Sequence, residues 1–377
     1  MLNELKSATI LLDQVANQLA AQLPVGWQAD GPRLVESLAA DQVAREQNEP
    51  EAGLIDAWLT LRAGKERARL AVEVKTQFQP RDVERLLRAL GPRLRRRTAS
   101  SRNDETVPDG WMLVSSFLSL RSQELLAAEG WNFADATGNV RIELERPRMF
   151  IRMQGDTKDP RPTRRDLPTL RGPIAGRLVR ALADFWPPYG ISELALRAKT
   201  STAMASRVVA SLEQDAIIER EGRGTIRAVD WRALLARWAQ EYEFARSNRA
   251  VRYLAVRGRT PVLDALRRTN AKYAITGGYA AEFMRTVASS PVLTIYTQDI
   301  PGLARELELE PLRTPATVVL AEPFDPVVYE RIWERDGLRL SAPSQVAADL
   351  LTSGDRYPQI GEAVLDWMAQ NESAWRA

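Results

Sequence analysis

The residues from Arg171 to Val229, RGPIAGRLVRALADFWPPYGISELALRAKTSTAMASRVVASLEQDAIIEREGRGTIRAV, change their apolar spacing several times in one short span. Ile174, Leu178, Val179 and Leu182 repeat at helical spacing, and Pro187, Pro188 and Gly190 stop that helix. Ile191 to Leu196 forms a second, short helix, and Lys199-Thr200-Ser201 forms a turn. A third helix runs from Thr202 to Gln214, capped by Ser201, whose hydroxyl can accept from a free N–H of the first turn. Ala205, Val208, Val209 and Leu212 give this helix one apolar stripe, which leaves Thr202, Ser206, Arg207 and Ala210 largely on the other side. Ile217 to Arg220 and Thr225 to Val229 then alternate around Glu221-Gly-Arg-Gly, a hairpin signal.

This pattern resembles the winged helix-turn-helix of bacterial regulators. The resemblance implies that the third helix enters the major groove and that Arg223, at the wing tip, lies near the backbone or minor groove. The expected DNA-binding residues are Ser201, Thr202, Ser206 and Arg207 on the helix, and Arg223 and Arg227 on the wing. The span carries nine basic and six acidic side chains. The run from Lys158 to Arg180 is more basic, with seven against two, so Arg164, Arg165 and Arg171 are expected to touch phosphates. Trihelical units also serve as protein-binding modules, and the spacing alone leaves that alternative open.

At 377 residues, two or three domains are expected. There is no cysteine and no histidine. Disulfides, zinc ribbons, thiol nucleophiles and Ser-His triads are therefore excluded, and any metal must be a hard one held by oxygen. No apolar run approaches the ~18 residues of a membrane span. Asp13 and Gln14 interrupt the first apolar stretch, so no signal peptide is expected and a cytoplasmic location is the default. The net charge is only +3.

Residues 1–155 read as one α/β domain. Leu5, Leu12, Val15, Leu19 and Leu23 line a first helix, ended by Pro24 and Gly26. Leu54 to Arg62 and Arg69 to Thr76 read as strands around an Ala63-Gly-Lys-Glu66 turn. Alternation in Ala71-Val-Glu-Val-Lys75 puts Glu73 and Lys75 on one face, and Asp56 lies on the preceding strand. An Asp on one strand and Glu-x-Lys on its partner is the layout of the PD-(D/E)xK, restriction-endonuclease-like fold. It implies that Asp56 and Glu73 hold Mg²⁺, that Lys75 acts on the attacking water, and that Gln77 supports them. The alternative is an ion pair of Glu73 with Lys75 on an inherited scaffold. In Gly130-Trp-Asn-Phe-Ala-Asp-Ala-Thr-Gly-Asn139, Asp135 is read as accepting backbone hydrogen bonds in a turn. Residues 156–170, charged and Pro-rich, read as a linker.

Residues 171–246 form the winged unit with a connecting helix lined by Trp231, Leu234, Leu235, Trp238 and Tyr242. Residues 247–377 alternate helix and strand. A strand, Gly277-Gly278, a helix and then a strand ending in Asp299 resembles a minimal nucleotidyltransferase. The second metal-binding acid would fall at Pro301, so the domain is read as a degenerate, inactive transferase. The other reading of Gly277-Gly278 is a helix start that needs glycine for packing.

Four segments in order resemble the AbiEi family, antitoxins and transcriptional regulators of bacterial type IV toxin–antitoxin systems: Asp135-Ala-Thr-Gly-Asn139, Ser206-Arg-Val-Val209, Thr276-Gly-Gly-Tyr-Ala-Ala281, and Leu340-Ser-Ala-Pro-Ser-Gln345 with Asp349-Leu350. The resemblance covers Leu54 to the end. It implies a DNA-binding autorepressor, without cofactor, paired with a nucleotidyltransferase-type toxin that it counters without necessarily binding it. It is also compatible with a homodimer on double-stranded DNA. Shorter members lack the Glu73/Lys75 region, which leaves room for a solitary regulator or a Mg²⁺-dependent nuclease targeted by its winged helix.

Overall fold

The computed structural model describes residues 2–34, 55–88, 108–161, 169–222, 224–284, 290–311, 316–354 and 356–377. The chain is an α/β protein with mixed sheets and divides into two compact units, 1–165 and 166–377. The boundary falls within the expected linker, whose residues 162–168 lie outside the described residues. No helix among the described residues is long and apolar enough to cross a membrane.

The first unit is built on a seven-stranded sheet. In order across it run β1 (Gln28–Leu34), β2 (Ala57–Ala63), β3 (Glu66–Lys75), β4 (Gly110–Ser115), β5 (Asn132–Asp135), β6 (Val140–Leu144) and β7 (Met149–Met153). β3, β4 and β5 run parallel, and the flanking pairs are antiparallel. Helices cover both faces. Leu11, Leu12, Val15 and Leu19 of the Leu2–Ala20 helix pack with Leu70, Val72 and Val74 on one face. Val83, Leu86 and Leu126 pack with Ala71, Leu113 and Phe133 on the other. β3 is thus buried from Leu70 to Val74, and Glu73 goes inside with it. The turn between β2 and β3 is two residues, Gly64-Lys65, and Gly64 takes the positive φ of +58° that a tight turn favours. β2 opens at Ala57, so Asp56 precedes the strand instead of lying on it.

The second unit begins with helix Gly172–Asp184, β8 (Tyr189–Gly190), helix Ile191–Arg197, helix Thr202–Gln214, β9 (Ile218–Glu221) and β10 (Thr225–Val229). The helices and the β9–β10 hairpin follow the apolar spacing. β8 pairs with β10 to make a three-stranded sheet in the order β8-β10-β9, and it has no counterpart in the apolar spacing. Two residues behind a Pro-Pro pair carry no periodicity to read. A second sheet follows in the order β14 (Glu310–Pro311), β11 (Arg249–Leu254), β15 (Val318–Glu322), β13 (Leu293–Thr297), β12 (Tyr273–Thr276), β17 (Leu338–Leu340) and β16 (Trp333–Arg335).

The three-helix portion and this sheet share one apolar core. Leu178, Val209 and Trp238 belong to the same cluster as Ile275, Leu320 and Val346. Segments 171–246 and 247–377 are therefore not separated into compact units of their own. Leu178, Val179 and Leu182 of the first helix are buried as expected, but its buried surface extends beyond that stripe. Ile174 is 40% exposed, whereas Arg180 and Asp184 are each 2% exposed. Arg180 donates to Asp184 Oδ2 at 2.8 and 3.0 Å, to the carbonyls of Val327 and Glu330 at 3.3 and 3.1 Å, and to Gln345 Oε1 at 3.2 Å. A buried charge is tolerable only with partners of this number and geometry.

Candidate nucleic-acid interface and acidic corner

Helix Thr202–Gln214 has two faces. Ala205, Val208, Val209 and Leu212 are buried, and Thr202, Ala203, Ser206 and Arg207 are exposed. Ser201 caps the helix, its hydroxyl accepting from Met204 N at 3.2 Å, so its oxygen is committed to the helix end. The wing is antiparallel, with Thr225 opposite Glu221, and Arg227 projects outward between the buried Ile226 and Val229. Arg223 lies outside the described residues, as do Arg164 and Arg165.

The surrounding cations are mostly spoken for. Arg177 pairs with Asp325 at 2.8 Å, Arg197 with Glu193 at 2.5 Å, Lys199 with Glu330 at 2.9 Å, and Arg220 with Glu213. Arg171 precedes the first helix, is largely exposed, and has Glu241 at 3.9 Å. Among the described residues, Arg207 and Arg227 make no ion pair, and Arg207 rests on the Met204 sulfur at 3.9 Å. Glu219 and Glu221 are exposed on β9. Among the described residues they offset the positive charge of the wing, whereas Arg207 is the charged residue on the exposed helix face with Thr202 and Ser206.

In the first unit the structure brings Asp56, Glu73 and Lys75 to one corner. Asp56 N donates to Val72 O at 3.0 Å and Asp56 Oδ2 accepts from Val74 N at 2.7 Å. The side chain thereby continues the β2–β3 ladder past the strand end and sits beside Glu73. Lys75 Nζ lies 2.5 Å from Glu73 Oε1. Burial pushes the Glu73 carboxyl above its ordinary range; the Lys75 hydrogen bond opposes this and the Asp56 charge adds to it. Gln77 follows the strand end at Lys75. It lies on the bend after β3 and lines a cleft of about 400 Å³ with Gln79, Arg81, Asp82 and Arg85. The two carboxylates each keep one oxygen clear of these contacts, which fits a hard divalent cation that retains most of its water. No group of three or more acidic side chains that could hold a metal occurs among the described residues.

Asp135 forms the turn expected of it. Its Oδ1 accepts from Thr137 N at 2.9 Å, Thr137 Oγ1 at 2.7 Å and Asn139 N at 3.1 Å; its Oδ2 accepts from Leu118 N and Asn139 Nδ2, both at 2.8 Å. Five donors saturate it, so this residue is architectural.

Asp299 is not placed beside Gly277-Gly278. β12 and β13 are antiparallel with Thr276 opposite Thr294 and Tyr273 opposite Thr297, so Asp299 lies beyond the far end of β13. There it caps helix Ile300–Glu306 by accepting from Gly302 N at 2.9 Å. A Cβ on Gly277 would meet Thr294 Oγ1 at 3.5 Å, and one on Gly278 would strike Ser290 at 2.7 Å. The helix-start reading accounts for both glycines, since Gly277 also has φ +68°.

The residues that spacing missed are Arg180, Asp184, Gln345 and Asp349. Asp349 is fully buried and accepts from Tyr242 at 2.7 Å and Gln345 at 2.8 Å on Oδ1, and from Thr276 at 2.5 Å and Tyr296 at 2.9 Å on Oδ2. Burial raises its carboxyl to about 6, with the hydrogen bonds opposing. The chain matches no protein-family model, no curated protein and no solved structure.

Proposed function

We propose that this chain is a sequence-specific DNA-binding transcriptional regulator, with residues 172–229 acting as a winged helix-turn-helix. The observation that carries this reading is the outer face of helix Thr202–Gln214, where small and polar side chains surround Arg207, an arginine without an acidic partner among the described residues. An arginine held by a carboxylate must give that pair up before it can bind a guanine edge; one without such a partner is ready to do so. Arg227 on β10 supplies a second cation, suited to phosphate. The role of autorepressor and antitoxin in a type IV toxin–antitoxin system, opposite a nucleotidyltransferase-type toxin, rests on the family resemblance. Asp135, Asn139, Thr276, Ser344, Gln345 and Asp349, which carry much of that resemblance, are buried, so they speak for a shared scaffold more than for a shared partner. A homodimer on a palindromic operator is the arrangement that goes with this reading.

The test is a binding titration on a site selected from random duplexes. Arg207→Ala is expected to weaken the selected site by about 1–3 kcal/mol and to relax its sequence preference, while Arg227→Ala weakens all duplexes alike. Equal loss on selected and random DNA for both variants overturns the assignment.

A second reading, a Mg²⁺-dependent nuclease of the PD-(D/E)xK type, is favoured by one observation: Asp56, Glu73 and Lys75 converge at one strand corner. Asp56 and Glu73 would hold the ion, which would polarise a phosphate and its attacking water, and Lys75 would orient that water. Plasmid cleavage in Mg²⁺ or Mn²⁺ that disappears in Lys75→Ala would put this reading first.

A further inference from the structure

The second unit holds a cleft of about 1220 Å³ that none of the roles above uses. It opens between the sheet at Val251, Thr294 and Val319, the Thr276-Gly277-Gly278 turn, and the helices at Leu350 and Tyr357. Small-molecule sites are clefts of roughly 300–1,000 Å³, apolar over most of their walls with a few placed polar groups. Valines, Leu350 and Phe244 supply the apolar wall here.

Among the described residues, two formal charges line the cleft, Asp349 and Arg252. Both Asp349 oxygens are engaged by four donors, so this carboxylate does not recruit a cation. Among the described residues, Thr294 and no acid faces Gly277. The walls described thus lack the paired acids that a metal-bound triphosphate needs. Arg252 is exposed and makes no ion pair among the described residues. An apolar wall with one available guanidinium suits a molecule with an apolar body and one anionic head. The body gains by leaving water, and the head gains a charge-assisted hydrogen bond.

The floor of the cleft is wired to the three-helix portion. Gln345 Nε2 donates to Asp349 at 2.8 Å, and Gln345 Oε1 accepts from Arg180 Nη1 at 3.2 Å. Arg180 is held to Asp184, and Ser344 donates to the other oxygen of Asp184. Arg180 and Asp184 lie on helix Gly172–Asp184, which packs on helix Ile191–Arg197. In a low-dielectric interior each member of such a chain is costly to leave unmet, so its members shift together.

We propose that this cleft binds an amphipathic small molecule bearing one negative charge, held by Arg252, and that occupancy is passed to the winged helix through Asp349, Gln345 and Arg180. The second clause rests on the DNA-binding reading; the first does not. A ligand seated against Thr276 and Leu350 changes the contacts of Asp349, which is the differential interaction any coupling requires.

The experiment uses the full chain and two probes, 8-anilinonaphthalene-1-sulfonate and decanoate. Saturable one-site dye fluorescence, displaced by decanoate but not by decanol, is expected. Arg252→Gln should weaken the dye at least tenfold, and Ala250→Trp, which fills the cleft from its exposed rim, should abolish binding; unchanged thermal melts would show that both variants fold. Failure of the dye to saturate, equal displacement by decanol, or wild-type binding in both variants overturns the site. In the second arm, decanoate should shift the affinity for a selected duplex in the wild type but not in Gln345→Met, which keeps dye binding. If Gln345→Met fails to fold, Arg180→Lys replaces it. A duplex affinity indifferent to decanoate overturns the coupling. If no duplex binds at all, the DNA-binding reading and the coupling fall, while the dye titration still decides the site.

Discussion

Glu73 and Asp349 are both buried carboxylates, one in each unit, and they are furnished in opposite ways. Asp349 is fully enclosed and accepts four hydrogen bonds from Thr276, Tyr242, Tyr296 and Gln345. Glu73 has Lys75 at 2.5 Å, and its next electrostatic neighbour is another acid, Asp56. The environment of Asp349 spends its donors on the carboxylate and leaves nothing for a cation to add. That of Glu73 gathers two negative charges at a corner open to solvent through the 46%-exposed Lys75 side chain. A buried acid with all its donors supplied is a construction element. A buried acid beside a second acid gains from any cation that arrives.

The comparison can be broken first by deletion. Asp349→Ala leaves four buried donors unmet and is expected to cost about 3–5 kcal/mol in chemical denaturation. A loss no larger than that of Glu73→Ala would show that the four-donor environment does not matter. A second test uses pH. The folded pKa of Asp349 is raised to about 6, so the folded chain binds its proton more tightly than the unfolded one. Its contribution to stability is therefore fully present at acid pH and is lost as pH rises from about 4 to 6, by roughly 2–3 kcal/mol in all. Asp349→Asn should remove that slope from the stability-against-pH curve; an unchanged slope would assign it to another group. The smallest effect sharpens the contrast from the other side. Because burial is the main cause raising Glu73, Glu73→Gln should be neutral or stabilising by under about 1 kcal/mol at neutral pH, despite losing Lys75. Addition of Mn²⁺ should raise the melting temperature of the wild type more than that of Glu73→Gln, and equal shifts would deny the corner any affinity for a cation.

Much of the middle of the chain is legible in its sequence. The helix from Thr202 to Gln214, its Ser201 cap and its exposed Thr202, Ser206 and Arg207 follow from spacing, because a 3.6-residue period and a capping serine are local signals. The turn at Asp135 is legible for the same reason. What is not legible is long-range. Arg180 and Asp184 sit four apart on a helix and read as a solvated pair; only the sheet behind them, with Val327, Glu330 and Gln345, makes them internal. Asp299 reads as a cleft residue until the antiparallel pairing of β12 with β13 sends it to the opposite end. Gln77 follows Lys75 by two residues, but the strand has ended at Lys75, so the alternation that linked Glu73 to Lys75 does not reach it. Asp349 stands in an ordinary amphipathic stretch, and its four donors come from positions as far back as Tyr242.

The apolar core shared by the three-helix portion and the β11–β17 sheet has one further consequence. The three-helix portion is no cassette. Grafting residues 172–229 onto another protein would part Leu178 and Val209 from Trp238, Ile275 and Val346, and Arg180 from Gln345, so under the proposed function a new DNA specificity should come from exchanging the outward side chains at Thr202, Ser206 and Arg207, and not from moving the segment that carries them.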